Sequence, residues 1–426
     1  MARKMKDSGI EWIGEIPEGW ELTKVKRIFD IGRGRVISQQ ELTSVGYPVY
    51  SSQTKNNGCL GYISTYDFDK SQLTWTTDGV NAGTVFLREG KHNCTNVCGT
   101  LAPKNDTNDL RYLKYALEYI AFYHKRADIN GFKIMNNEMA EIELLLPPLF
   151  EQQNIANYLD FKCSQTQSIL EQSLFSIEEY KKLKQAVITQ AVTKGVRGKR
   201  EMKDSGVEWI GKVPKEWDVR KLKAVSARIN VGVVIRPSEY FDDNGTVPFL
   251  RGINVKEYTI SSENMIYISQ TSNRALSKSQ VHTGDILIVR DGNIGASCVV
   301  PSCYNGANVV SMVIVTPNNN CDSRFLCYSL NSEVGKTQFT LTKIGSALTH
   351  TSVSAVSDIL SPVPSREEQY EIANYLDAKC AEIDGLIAKK EQLVKELESY
   401  KKSLIYEVVT GKREIFTDIT RKSPNI

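Results

Sequence analysis

Met5 to Trp20 reads MKDSGIEWIGEIPEGW, and Met202 to Trp217 reads MKDSGVEWIGKVPKEW, with 11 of 16 positions identical. A match of that length inside one chain is an internal repeat, and it decides the architecture before any motif is sought. A second segment also recurs: IANYLD stands at Ile155 to Asp160 and again at Ile372 to Asp377, each time after a proline-containing stretch and a Glu-Gln or Gln-Gln pair. Carried forward without gaps, this second alignment pairs Cys163 with Cys380, Ile169 with Leu386, Ile177 with Val394 and Val187 with Leu404, and ends at Val192-Thr193 and Val409-Thr410. The positions Ile169, Ser173, Ile177, Tyr180, Val187 and Ala191, apolar except for Ser173, follow three- and four-residue steps, with one of each spanned between Tyr180 and Val187, and Lys and Glu lie on the other face. That is the period of a helix packed on another helix. Pro147, Pro148, Pro362 and Pro364 punctuate the chain before each helix, and Gly195 and Gly411 supply stops. Each helix is expected to span about 32 residues, or roughly 48 Å. Neither buries its seam alone, so the two are expected to form an antiparallel pair related by approximate twofold symmetry. The alternative, two unrelated amphipathic helices each lying on its own domain, does not explain a repeat that runs through both.

Between the repeats lie two variable regions, about Glu21 to Leu146 and Asp218 to Ser361, which read as mostly β with short helices. They share ordered landmarks: Pro48 with Pro248, Asp78-Gly79 with Asp291-Gly292, Asn96-Val97 with Asn308-Val309, and Arg111-Tyr112-Leu113 plus Tyr115 with Arg324-Phe325-Leu326 plus Tyr328. One fold with two divergent surfaces is the economical inference. The fold class is therefore α+β: two similar mixed α/β domains separated by two long antiparallel coiled-coil helices in a pseudo-twofold internal repeat.

Composition agrees and excludes little. At 426 residues the chain exceeds one ordinary domain; it is 41% hydrophobic and 24% charged, and its net charge of +3 is too small to identify a nucleic-acid binder. No stretch approaches the apolar length of a membrane span, and the basic Met1 to Lys6 is not followed by the apolar core of an export signal. A cytoplasmic protein with nine reduced cysteines is expected.

The order of these elements resembles the specificity subunits of type I restriction-modification systems. The resemblance rests on Ser8 to Trp20, Pro147 to Asp160, Ser205 to Trp217 and Pro362 to Asp377, in that order, and covers the chain to about Glu414. It implies target-recognition domains at 1–149 and 201–363, conserved helices at 150–200 and 364–414, and a tail at 415–426. It further implies a subunit without chemistry of its own, which binds double-stranded DNA, two copies of an adenine methyltransferase (modification) subunit and two copies of a translocase and endonuclease (restriction) subunit, as in a bacterium or archaeon. Cofactors are expected on those partners only, namely S-adenosylmethionine, ATP and Mg. Each recognition domain would read one half of a split target, and because the two domains differ the target is expected to be asymmetric.

Base and phosphate contacts favour Arg, Lys, Asn and Gln on loops. In the first domain these are Arg33 and Arg35 in GRGR, Gln53, Lys55, Asn56 and Asn57 in SSQTKNN, and Lys133 in NGFK. In the second they are Arg236, Arg251 and Asn254 in LRGIN, and Arg290 and Asn293 in VRDGN. Partner docking is assigned to the repeat-derived Trp12, Trp209, Asn157 and Asn374, and burial in the helix pair is the competing reading for each. Asp78 and Asp291 are read as turn formers, and Trp12, Trp20, Trp209 and Trp217 as packing residues rather than base stackers.

Catalytic motifs are missing. GVEWIGKV at Gly206 to Val213 lacks the Ser or Thr of a phosphate-binding loop, and Leu146-Pro147-Pro148-Leu149 lacks both flanks of an adenine methyltransferase motif. His92, Cys94 and Cys98 are close in sequence but have no clear fourth ligand, so no metal site is expected. The rival from another class is a coiled-coil assembly protein with two protein-binding domains, which explains the helices but not the two-copy order.

Overall fold

The computed structural model describes residues 3–11, 13–129, 131–343 and 350–415, with the side chains of residues 342 and 343 outside that description. The chain forms two compact units. One holds the residues up to Leu174 together with those from Gln392 onward, and the other holds Phe175–Glu391.

Two helices dominate the element order, Leu149–Lys194 and Arg366–Val409, of 46 and 44 residues. At 1.5 Å per residue they run about 69 and 66 Å, well beyond the expected 48 Å. The reason lies at their N-termini. Pro148 stands directly before the first turn and its carbonyl accepts from Glu151 and Gln152, so IANYLD is helix interior rather than approach. At the other end Gly195 takes φ +75° and its amide caps Ala191 O, the left-handed stop that glycine adopts without a Cβ penalty.

The seam of the first helix falls on Cys163, Thr166, Leu170, Ser173 and Ile177, all buried and spaced three and four apart. Ile169, expected in that seam, is exposed, and its neighbour Leu170 takes the inward place. Each unit pairs the head of one helix with the tail of the other. In the first unit Ile155, Ala156, Leu159 and Cys163 share a core with Leu404, Val408 and Val409. In the second, Ile372, Ala373, Leu376 and Cys380 share a core with Ile188, Ala191 and Val192. Only an antiparallel pair brings a head onto a tail, and the two contacts repeat each other residue for residue, except that the buried place of Leu404 is taken in the second core by Ile188, the neighbour of its counterpart Val187.

The variable regions share one topology. The first has a four-stranded antiparallel sheet in the order Phe29–Arg33, Cys98–Pro103, Gln72–Thr76, Val85–Arg88. The second repeats it as Ser226–Val231, Val313–Pro317, Ile286–Ile288, Ser297–Val299. A smaller sheet centres on Tyr47–Tyr50 in one and Val247–Leu250 in the other. Pro48 and Pro248 thus occupy equivalent strands. The pairing of Asn96 with Asn308 is corrected: Asn93-Cys94 lies parallel to Val49-Tyr50 as Asn308-Val309 lies parallel to Phe249-Leu250, so Asn93 is the counterpart. A two-stranded tie, Glu21–Lys24 with Glu143–Leu146 and Asp218–Lys221 with Leu360–Val363, joins entry to exit in each domain. Among the described residues no helix is long and apolar enough to cross a membrane.

The head-to-tail cores predict that Leu159→Ala lowers the stability of the first unit by about 2–5 kcal/mol through lost burial and a residual cavity. Leu376→Ala should lower that of the second by the same range. Denaturant melts followed by domain-specific hydrogen exchange would check both.

Candidate nucleic-acid interface

The first element of the site is the clamp that fixes each variable domain on its long helix. Asp109 caps the helix Leu110–His124, its carboxylate accepting from the amides of Arg111 and Tyr112. That helix then reaches across to the first long helix. Arg111 NH1 donates to Asn157 Oδ1 at 2.9 Å and Asp160 Oδ2 at 3.1 Å, and Tyr115 donates to Asp160 Oδ1 at 2.8 Å. The second domain repeats every contact. Asp322 caps Ser323–Asn331, Arg324 NH1 meets Asn374 Oδ1 at 3.1 Å and Asp377 Oδ2 at 2.5 Å, and Tyr328 donates to Asp377 at 2.8 Å. Burial, followed by the adjacent aspartate, pushes both phenols above the ordinary tyrosine range, so each stays protonated and keeps donating.

A tryptophan closes the other side. Trp20 Nε1 donates to Glu151 at 3.0 Å and Trp217 Nε1 to Glu368 at 3.0 Å, with Arg3 and Arg200 paired to the same carboxylates and stacked over the indoles. These two tryptophans pack and do not face solvent, as expected. Trp209 is 40% exposed, and Trp12 lies outside the described residues. Asn157 and Asn374 are exposed, but their amide oxygens belong to the clamp. The sequence carried this signal in the repeated Arg-x-Leu landmark and in Asp160 and Asp377, whose roles as docking residues the reading of motifs missed.

The second element is the set of loops each clamp presents. In the first domain Gly34 lies against the next loop so closely that a Cβ would stand 2.1 Å from Cys94 O, which explains the glycine between Arg33 and Arg35. Gly232 makes the same approach to Val309 O, 2.4 Å from its would-be Cβ. Arg33 is exposed at its strand end, beside Met135 and within electrostatic reach of Asp78. Lys133 pairs with Asp78 at 3.0 Å, and Asn81 donates to Thr54 at 3.4 Å. These contacts gather Arg33, Lys133 and the Lys55-Asn56-Asn57 turn on one rim. Lys55, Asn56 and Asn57 are exposed; Gln53 bonds back to Cys59 O, and Arg35 is held by Asp67 and Glu41.

In the second domain Gly252 and Asp291 adjoin, which brings the Arg251 and Arg290 loops together. Arg290 Nε donates to Thr351 O at 2.9 Å and Arg251 NH2 to Asn264 O at 2.5 Å, while Asn293 is exposed. Arg236 stands at φ +42°, exposed and paired with Glu239. Asn254 does not belong to the surface set. It is fully buried, its Oδ1 accepting from Arg251 N and its Nδ2 donating to Ser261 O and Glu263 O, so it shapes the loop from beneath.

His92 is buried with Nδ1 on Gly90 O and Nε2 on Gln72 Nε2. A carbonyl accepts, so Nδ1 carries the proton and Nε2 accepts from the amide. Both ring nitrogens are engaged, and burial lowers the imidazole pKa. No group of three or more potential metal ligands occurs among the described residues.

Two similar domains on two aligned helices form the pattern against which comparison with known proteins is decisive. The family model described as type I restriction modification DNA specificity domain matches twice, at residues 17–179 and 214–396. The chain belongs to this family. It is 27% identical over 414 residues to the specificity subunit of the type I restriction enzyme MjaVIII from Methanocaldococcus jannaschii, covering 93% of each chain. It is 42% identical over 144 residues to the MpnII specificity subunit from Mycoplasma pneumoniae, 33% of this chain and 43% of that one. In fold it is similar to a chain solved in work on assembly and conformational transition of the type I restriction-modification system, with TM-score 0.71 and 14% identity over 93% of this chain and 99% of that one. The HsdS subunit from Thermoanaerobacter tengcongensis matches at TM-score 0.50 and 16% identity, over 96% and 100%. This is a type I specificity subunit with two target-recognition domains.

The clamps make an unequal pair of predictions. Trp217→Phe keeps the bulk but strips an indole donor from Glu368, whose side chain is 3% exposed, and should cost about 1–3 kcal/mol. Trp20→Phe should cost less, because Glu151 is 29% exposed and water replaces the donor. Thermal melts of the two variants would show the larger shift for Trp217.

Proposed function

We propose that this specificity subunit does no chemistry itself and reads a split, asymmetric DNA target, one half with each recognition domain. It directs adenine methylation, and restriction where that subunit joins, by partner subunits in the cytoplasm. The observation that carries the reading is the pairing of one repeated clamp with two unlike loop sets. Arg111, Tyr115 and Asp160 are matched residue for residue by Arg324, Tyr328 and Asp377. The presented loops share almost no side chain. A scaffold written twice under two different surfaces is what two distinct readers require, and a single protein with two unlike readers selects a non-palindromic target.

Arg33, Lys55, Asn56, Asn57 and Lys133 serve the first half, and Arg236, Arg251, Arg290 and Asn293 the second. Two copies of the methyltransferase and two of the translocase and endonuclease, carrying S-adenosylmethionine, ATP and Mg, complete the assembly. The surfaces around Trp209, Asn157 and Asn374 serve partner docking. This division fits the absence of catalytic motifs noted in the sequence.

Co-expression with the cognate methyltransferase in a methylation-free host, followed by single-molecule mapping of modified adenines, tests the proposal. The expected result is one bipartite asymmetric motif, in which replacing residues 21–146 by another recognition region changes one half only. No modified motif from a soluble complex whose methyltransferase works with another specificity subunit would defeat it. Within a confirmed motif, Arg290→Ala should relax one base of the second half by about 1–3 kcal/mol, and Lys133→Ala should weaken binding without changing the motif. Competition binding with base-substituted duplexes separates the two.

A further inference from the structure

Arg88 ends the strand Val85–Arg88 and is 1% exposed. Its Nε donates to Thr74 Oγ1 at 3.1 Å and its NH1 to the carbonyl of Asn57 at 2.7 Å. The guanidinium stands 3.6 Å from the Tyr50 ring centroid and 4.3 Å from that of Phe86. Among the described residues no carboxylate pairs with it. A buried cation without a counter-ion is costly, and an apolar side chain would fill this place more stably unless the charge performs a task.

The sister domain shows that the fold itself has no need of it. Leu73 pairs with Leu101 and Leu87, as Ile286 pairs with Val315 and Val299. That register makes Arg88 the counterpart of Val300 and Thr74 the counterpart of Leu287. Tyr50, paired with Cys94, corresponds to Leu250, paired with Val309. Leu250, Leu287 and Val300 are fully buried together in one apolar core. The first domain has exchanged that trio for Tyr, Thr and Arg.

What the exchange holds is the loop after Tyr50. Asn56, Asn57 and Gly58 take φ of +49°, +52° and +78°, three successive left-handed residues that asparagine and glycine tolerate but that need support. The support comes from beneath, because Arg88 grips the carbonyl of Asn57, and a Cβ on Gly58 would stand 2.8 Å from Arg88 NH2. The side chains of Lys55, Asn56 and Asn57 are left facing outward. In the second domain the loop at the same place is held instead by buried Asn254.

We infer that Arg88 is a positioning residue for target specificity: from inside the first domain it fixes the left-handed Asn56-Asn57-Gly58 turn, and so sets which bases that domain accepts. The inference rests on the proposed reading of the first half by this loop. Since the sister domain replaces the whole polar trio, the residue serves one half of the target and not the scaffold.

The test is made on the full chain co-expressed with its methyltransferase, with the modified motif mapped. The triple variant Tyr50→Leu, Thr74→Leu, Arg88→Val grafts in the sister's apolar core, and Arg88→Met removes the grip alone. Both should lower discrimination in the first half of the motif by about ten-fold or more, with the second half read as before, which also reports an intact subunit. An unchanged first half in both variants overturns the inference. So does loss of methylation at every site with both, because Arg88 would then be a residue of the fold. Lys55→Ala with Asn56→Ala is the separating control. If it changes the first half while the Arg88 variants do not, loop reading stands and the positioning role falls. If it too leaves the motif unchanged, the loop assignment itself fails.

Discussion

The apolar seam of the long helices is the constraint from which the rest follows. A 46-residue helix with buried positions three and four residues apart from Cys163 to Ile177 has no stable form alone in water, and its complement is a second helix of matching period. Running the two antiparallel gives each unit the head of one and the tail of the other. A recognition domain docked on a head therefore also touches a tail, as Trp20, Ile155 and Val409 in one core illustrate.

On that platform the polar clamp does what apolar packing cannot, namely fix orientation. An aspartate that accepts from a guanidinium and a phenol together, from two side chains one helical turn apart, leaves the docked helix little freedom to roll. Both copies use the same three residue types, with the arginine and tyrosine one helical turn apart in each. Divergence is then confined to what the clamp presents, and the two domains differ even in how their loops are held, by a buried arginine in one and a buried asparagine in the other.

Much of this was legible in the sequence because repetition reveals what is scaffold. The helices, their stops at Gly195 and Gly411, the packing role of Trp20 and Trp217 and the common topology of the variable regions all recur in the two copies. Four things were not legible. The helices begin as early as Leu149, directly after Pro148, and Arg366, so their length exceeds the expected span of about 32 residues, since a pattern read from its clearest apolar positions misses the helix ends. The inward residue is Leu170 and not Ile169, because adjacent apolar residues do not declare which one faces the partner. Asn254 looked like a reader and is a loop brace, since an asparagine in a turn bonds its own backbone as readily as a base. Arg88 carried no signal as a lone cation at a strand end; its significance appears only beside Val300 in the sister domain.

The pairing of head with tail is tested most directly by amide hydrogen exchange on the full chain carrying Leu404→Asp, which places a carboxylate where a 2% exposed leucine shares the first core with Ile155 and Leu159. Protection should fall together over residues 155–163 and 401–409, with 188–192 and 372–380 retaining theirs. Loss confined to the tail of the second helix, with 155–163 as protected as before, would contradict the account.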